Sequence, residues 1–169
     1  MNNESDFSIR FANIHDVPAI LRFIQELAEY EKLAHEVVAT ETRLKETLFG
    51  DHPAAEVILA LEQQEPVGFA LFFLNYSTFL AQPGIFLEDL FIQPTHRGKG
   101  YGEALLRYLA ALAVERKCGR VEWSVLNWNQ PAISFYRKMG AFPMDEWTTF
   151  RVSGEALAKL AGSITTDQP

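Results

Sequence analysis

The chain predicts an α/β fold in which one mixed sheet is covered by helices. Three observations lead there. Strand and helix periodicities alternate early, a hairpin follows, and the later half repeats strand, helix, strand, helix. At 169 residues the chain suits one domain with a real core and is short for two. Its composition, 48% hydrophobic and 22% charged with 13 Phe, is that of a globular protein with an aromatic core.

Each element has its own signal. "FSIRFA" at 7–12 alternates as a strand does. Residues 13–33 then place Val17, Ile20, Leu21, Ile24, Leu27 and Ala28 at helical spacing, with Asn13 and Asp16 suited to the start. Thr40 and Gly50 bound a second helix, "TETRLKETLFG". "AEVILALE" at 55–62 and "PVGFALFFLNY" at 66–76 are strands joined by the polar turn "QQE", a hairpin signal. The strand "GIFLEDLFIQP" at 84–94 runs through a glycine-rich turn into a long helix striped by Leu105, Leu106, Leu109 and Leu112. "RVEWSVLNW" at 120–128 is a strand, and "NQPAISFYRKMG" at 129–140 is a shorter helix with Pro131 in its first turn. "EWTTFRV" at 146–152 is a last strand, and Ser153 caps a short helix to 161. The expected organisation is one domain over 1–163 with a frayed tail at 164–169.

Composition excludes several function classes. Fifteen basic against 22 acidic residues give a net charge of −7, which disfavours nucleic acid and anionic membrane as partners and favours small cations. No basic-then-apolar leader opens the sequence and no apolar run approaches about 18 residues, so a cytoplasmic protein is expected. The single cysteine, Cys118, excludes an internal disulfide and reads as a small buried residue. His15, His35, His52 and His96 lack metal-ligand spacing, so no metal is expected.

Two features depart from a plain core. Glu88 and Asp89 are neighbouring acids inside an apolar strand. Strict alternation puts Glu88 with Phe86, Leu90 and Ile92, and Asp89 with Ile85, Leu87 and Phe91. A carboxylate so placed needs a partner, a wet edge or a water-filled cleft. The second feature is "RGKGYG", Arg97 to Gly102, between strand and helix. Glycines at Gly98, Gly100 and Gly102 allow close backbone approach, and the amides at the helix start lack intrahelical acceptors, so together they form an anion cradle beside Arg97 and Lys99. The turn has no GK[ST] triplet, and its third glycine falls one residue early for a dinucleotide fingerprint.

Arg97, Gly100 and Gly102 match the (Q/R)xxGx(G/A) signature, and the order of elements over 7–152 resembles the GNAT superfamily of acyl-coenzyme A N-acyltransferases. "ELAEYEKL" (26–33), "FLEDLFIQPTHRGKGYG" (86–102) and "WNQPAISFYRKMGA" (128–141) resemble its diamine branch, the spermidine/spermine and thialysine N-acetyltransferases. The resemblance implies a mixed, mostly antiparallel twisted sheet whose central strands splay beside a bulge. It implies acetyl-CoA as co-substrate and a homodimer. Backbone amides of Leu90, Phe91 and Ile92 would bind the pantetheine arm, and those of Arg97, Gly98, Lys99, Gly100, Tyr101 and Gly102 the pyrophosphate, with Asn129 a further coenzyme contact. Glu88 would take the proton from the amine and Tyr136, also at the coenzyme, would protonate the departing thiolate. Tyr30, Glu31, Glu88 and Asp89 would line the amine site, with Glu122, Trp123 and Ser124 on the adjoining strand. One departure bears on the amine: Ser77 follows Tyr76 where polyamine-specific members carry an aspartate. The expected reaction is acetyl transfer to a small cationic amine in a ternary complex. The alternatives are a protein amino terminus or lysine as acceptor, or a non-catalytic acyl-CoA or polyamine sensor.

Overall fold

The computed structural model describes residues 7–162, and the tail expected at 164–169 lies outside them. The chain divides into two compact units, Met1–Trp128 and Asn129–Pro169.

The first unit is built on a five-stranded sheet. β1 (Phe7–Phe11), β2 (Glu56–Glu62), β3 (Glu65–Ser77), β4 (Gln82–Ile92) and β5 (Val121–Trp123) lie in that order, all antiparallel except the parallel β4–β5 pair. Asn13 and Asp16 form a capping box, after which α1 (Val17–Tyr30) begins with Pro18 in its first turn. Thr40 caps α2 (Glu41–Phe49) by accepting the Arg43 amide. The expected stripe of α3 (Tyr101–Glu115) is borne out: Leu105, Leu106, Leu109 and Leu112 are all buried. α1 and α2 bury Val17, Ile20, Phe23, Leu44 and Leu48 against Val57, Leu59, Phe69 and Phe91. The other face of the sheet carries Ile58 and Ala70, fully buried, and Ile92, which lies beside Gly102 at the start of α3.

Register decides where the two acids go. Leu71 pairs with Asp89 and the next residue, Phe72, pairs with Leu87, so Glu88 is an extra residue bulged from β4. Directly opposed residues share a face, so the bulge breaks the strict alternation expected from sequence. Ile85, Leu87, Leu90 and Ile92 lie on the α3 face with Leu74, Phe72, Ala70 and Gly68, whereas Phe86, Asp89 and Phe91 lie on the α1 face with Phe73, Leu71 and Phe69. One inserted residue lets Leu87 and Phe91 both stay buried while Asp89 moves to the opposite face from Leu87.

The bulge also limits β5. The parallel ladder runs Ile85↔Val121, Phe86↔Glu122, Leu87↔Trp123 and stops, so the strand expected at 120–128 keeps three residues. Continuing it would require the bulged Glu88 to pair with Ser124. From that point β4 and β5 separate, which is the splay implied by the resemblance.

The second unit holds α4 (Gln130–Lys138), capped by Asn129, and α5 (Gly154–Ala161). The expected strand at 146–152 is absent. These residues pair with no neighbour in a ladder, Phe150 is 92% and Trp147 73% exposed, and a strand without a partner leaves its backbone to water. Among the described residues no helix is long and apolar enough to cross a membrane.

Gly68 marks a close approach between β3 and β4. A β-carbon there would lie 2.5 Å from the Phe91 carbonyl oxygen and clash with Ile92 Cδ1. Gly68→Ala should therefore lower the unfolding free energy by about 1–3 kcal/mol in urea titration, with an unchanged m-value.

Candidate active site

The site begins where β4 leaves β5. Glu88 is exposed at the bulge, and Asp89 is partly buried on the α1 face. The end of α1 comes to the same place because the helix stops sharply. Lys32 takes a left-handed φ of 62°, and the Leu33 amide donates to the Ala28 carbonyl, which closes the last turn with Tyr30 and Glu31 at its tip. Asp89 senses the result. Burial first, then the charges of Glu88 and Glu31, raise its carboxyl from the ordinary carboxylate range to about 6. Burial alone raises Glu31. Beside them Tyr30 packs on Trp128 with ring centres 6.0 Å apart, and the Lys32 ammonium lies 6.0 Å over the Trp128 ring. This is an acidic cluster flanked by aromatic rings.

The other predicted lining residues are engaged differently. Glu122 shares the α1 face with Phe86 but accepts from Asn75 Nδ2 at 2.9 Å and Arg120 Nε at 2.8 Å, so its charge is matched within the sheet. Trp123 is partly buried opposite Leu87, and Ser124 is exposed just beyond the ladder. Ser77 is buried and its hydroxyl accepts the Leu80 amide, so it closes the β3–β4 turn.

The glycine turn has the geometry of a cradle. Gly98 and Gly100 hold φ of 79° and 84°, and a β-carbon at either would meet nothing within 4 Å. The space before them is open. Gly100 stands at the N-cap of α3 and no side chain caps that helix. These features fit a coenzyme pyrophosphate: exposed amides, a helix N-terminus and room for the ligand. Gly102 is different, since a β-carbon there would make ordinary contact with Leu90 Cδ2 at 3.8 Å and Ile92 Cγ1 at 4.0 Å. Leu90, Phe91 and Ile92 direct their side chains into the two cores and leave backbone toward the splay.

The two cations expected beside the cradle hold it in place. Arg97 Nε donates to the Ile92 carbonyl at 2.9 Å, and its guanidinium lies 4.9 Å over Tyr30 and 5.5 Å over Phe91. Lys99 Nζ bonds both oxygens of Glu62, at 2.7 and 3.0 Å. Glu62 was not among the sequence candidates. Its signal is the like-charged "EQQE", in which Glu62 and Glu65 face each other across the hairpin turn. In the second unit Tyr136 lies on α4, partly buried, with its ring centre 5.3 Å from that of Phe135, and Asn129 Oδ1 accepts the Ala132 amide. Cys118 is partly buried after α3.

A model of the acetyltransferase (GNAT) family matches residues 21–141. The chain belongs to this family. It is 39% identical to the thialysine N-epsilon-acetyltransferase of Bos taurus over 165 residues, covering 91% of this chain and 96% of that protein. It is 35% identical over 197 residues to the L-ornithine N5-acetyltransferase of Arabidopsis thaliana, covering 90% of this chain and 86% of that protein. Among solved structures, an integron cassette protein from the mobile metagenome of V. cholerae superposes with a TM-score of 0.79 at 28% identity, over 92% of this chain and 98% of that one. The protein is thus a GNAT-type N-acetyltransferase, an enzyme of a family whose co-substrate is acetyl-CoA.

The electrostatics of Asp89 make a sign that can be tested. Its folded-state value of about 6 lies above the ordinary carboxylate value of 3.8, so the folded protein holds this proton more tightly than the unfolded chain. Its contribution therefore favours folding below pH 4 and is lost as pH rises from about 4 to about 6. Asp89→Asn should remove that slope and raise stability at pH 7.5 by roughly 1–3 kcal/mol, measured by urea denaturation from pH 4 to 7.5.

Proposed function

We propose that the protein transfers an acetyl group from acetyl-CoA to the primary amine of a short cationic substrate, thialysine-like or ornithine-like, by direct attack in a ternary complex. The observation that carries the substrate class is the gathering of Glu31, Glu88 and Asp89 at the bulge, where burial and mutual repulsion leave Asp89 in need of a cation. Relatives that acetylate thialysine and ornithine, both short amines with a second charged end, support the same choice.

Bound acetyl-CoA supplies an acetyl thioester; the rest is the work of this chain. The amides of Arg97 to Gly102 hold the pyrophosphate at the α3 N-terminus, and backbone at Leu90 to Ile92 orients the arm in the splay. Glu31 and Asp89 attract and orient the ammonium. Glu88, exposed at the bulge, accepts the proton that the amine must lose before it can attack. Tyr136 holds a proton at its hydroxyl for the departing sulfur, a role assigned by its place in "WNQPAISFYRKMG". Residues 1–163 act as one catalytic domain in this reading, and the family match at 21–141 spans both units. Pairing as a homodimer and a cytoplasmic setting belong to the same reading.

The deciding assay measures thiol release from acetyl-CoA with thialysine, lysine, ornithine, spermidine, spermine and an amino-terminal peptide. Ser77 occupies the place of an acid that a long polyamine would use and is itself tied to a turn, so kcat/KM should be higher for thialysine or ornithine than for spermidine or spermine. A tenfold advantage for spermine reverses the assignment, and activity confined to the peptide moves the acceptor to protein. In the same assay Tyr136→Phe should lower kcat by roughly tenfold to ten-thousandfold with little change in acetyl-CoA affinity.

A further inference from the structure

Glu62 occupies an electrostatically unfavourable position. It ends β2 directly opposite Glu65, and like charges facing each other across a ladder destabilise it. The connecting residues Gln63 and Gln64 hold φ of 52° and 67°, a turn that favours glycine or asparagine. What offsets this is a set of contacts with the segment around the glycine turn. Lys99 bonds both Glu62 oxygens, the Tyr101 hydroxyl donates to Oε1, and His96 Nε2 lies 3.3 Å from Oε2. The Lys99 hydrogen bond, with that of Tyr101, holds the Glu62 carboxyl below the usual range. The Tyr101 ring in turn stacks on Phe7 of β1, with centroids 4.1 Å apart and planes 12° apart. One carboxylate on a core strand is thus fastened before the turn, within it and after it.

The turn needs such fastening. Gly98 and Gly100 have open space around them and left-handed φ, so no packing of their own fixes them. An unfastened two-glycine loop would have to be ordered by the ligand, at the expense of affinity. Resting on the reading of this turn as the acetyl-CoA pyrophosphate site, we propose that Glu62 is a positioning residue. It holds the Gly98–Gly102 backbone in its binding conformation through Lys99 and Tyr101, and it touches neither donor nor amine. Its negative charge also repels phosphate, but it is partly exposed and paired with the Lys99 ammonium, which offsets that repulsion, so the positioning effect is the larger one.

The experiment uses the full chain and two donors, acetyl-CoA and S-acetylpantetheine, which lacks the pyrophosphate. Glu62→Ala and Tyr101→Phe should each raise KM for acetyl-CoA roughly three- to thirtyfold, and Glu62→Ala should leave kcat and the KM for S-acetylpantetheine within about twofold of wild type. The double variant should be no worse than Glu62→Ala, because both changes open one clamp. Equal losses with both donors would reduce Glu62 to a general structural role and overturn the proposal. So would tighter acetyl-CoA binding, or additive losses in the double variant. If Glu62→Ala does not fold, Tyr101→Phe decides, since it changes no charge and keeps the ring on Phe7. Gly100→Val separates the two readings. If it weakens acetyl-CoA while the clamp variants do not, only the role of Glu62 falls; if it leaves acetyl-CoA affinity unchanged, the cofactor reading falls and the proposal with it.

Discussion

The architecture of the site follows from one inserted residue. Strands β3 and β4 form the longest ladder in the sheet, and in the middle of it Glu88 has no partner. A bulge bends its strand and reverses which face the following side chains take. Upstream of Glu88 the ladder is completed on both sides, by β3 and by β5. Downstream, β4 keeps β3 but loses β5, since the parallel pairing ends at Leu87↔Trp123. The same residue therefore opens a gap for a ligand, presents its own carboxylate at the mouth, and sends Asp89 toward the end of α1. Were the same residues paired without the bulge, strict alternation would place Asp89 on the α3 face with Leu87.

The sequence was most readable where local chemistry and tertiary packing agreed. The leucine stripe of α3, the Thr40 cap, the Asn13–Asp16 box and the β2–β3 hairpin were all visible as periodicity or capping signals, and all are formed. The two misreadings share a cause. Residues 124–128 and 146–152 have the apolar and β-branched content of strands, but strand formation depends on a partner edge, and propensity carries no information about whether one is available. The face assignment of Asp89 failed for a related reason. A bulge changes the period of 2 by one residue, and nothing in "FLEDLFI" alone marks which residue is extra.

The site residues were readable by type but not by partner. Glycine in the cradle could be inferred from spacing because only backbone freedom explains it there. The roles of the neighbouring cations could not, because a lysine or arginine beside a cradle is as able to bind a carboxylate as a phosphate. Arg97 stacks on Tyr30, and Lys99 pairs with a glutamate 37 positions away in sequence. The first contact has a consequence for coupling. Arg97 belongs to the turn at the α3 start while Tyr30 belongs to the acidic cluster at the end of α1, so a guanidinium physically joins the two ends of the candidate site.

The acidic cluster is built at the expense of stability. Three acids converge there, and burial and like charge together hold Asp89 near 6. A fold selected for stability alone would replace one of them with an amide. A substrate ammonium reverses the terms: it supplies the opposite charge, and every pK unit by which it lowers Asp89 corresponds to about 1.4 kcal/mol of binding. That free energy is available only to a cation, because a neutral amine leaves the repulsion among Glu31, Glu88 and Asp89 in place. On the proposed reading, selectivity for a charged acceptor would arise from a ground state the protein has left electrostatically unsatisfied, before any hydrogen bond to the substrate is considered. The reaction then requires the opposite property at the nitrogen, which must shed its proton before attack. In the proposed mechanism the bulge would answer both demands by separating the acids: Asp89, partly buried, would hold the charge that attracts the cation, and Glu88, exposed one residue earlier, would have access to water for carrying the proton away.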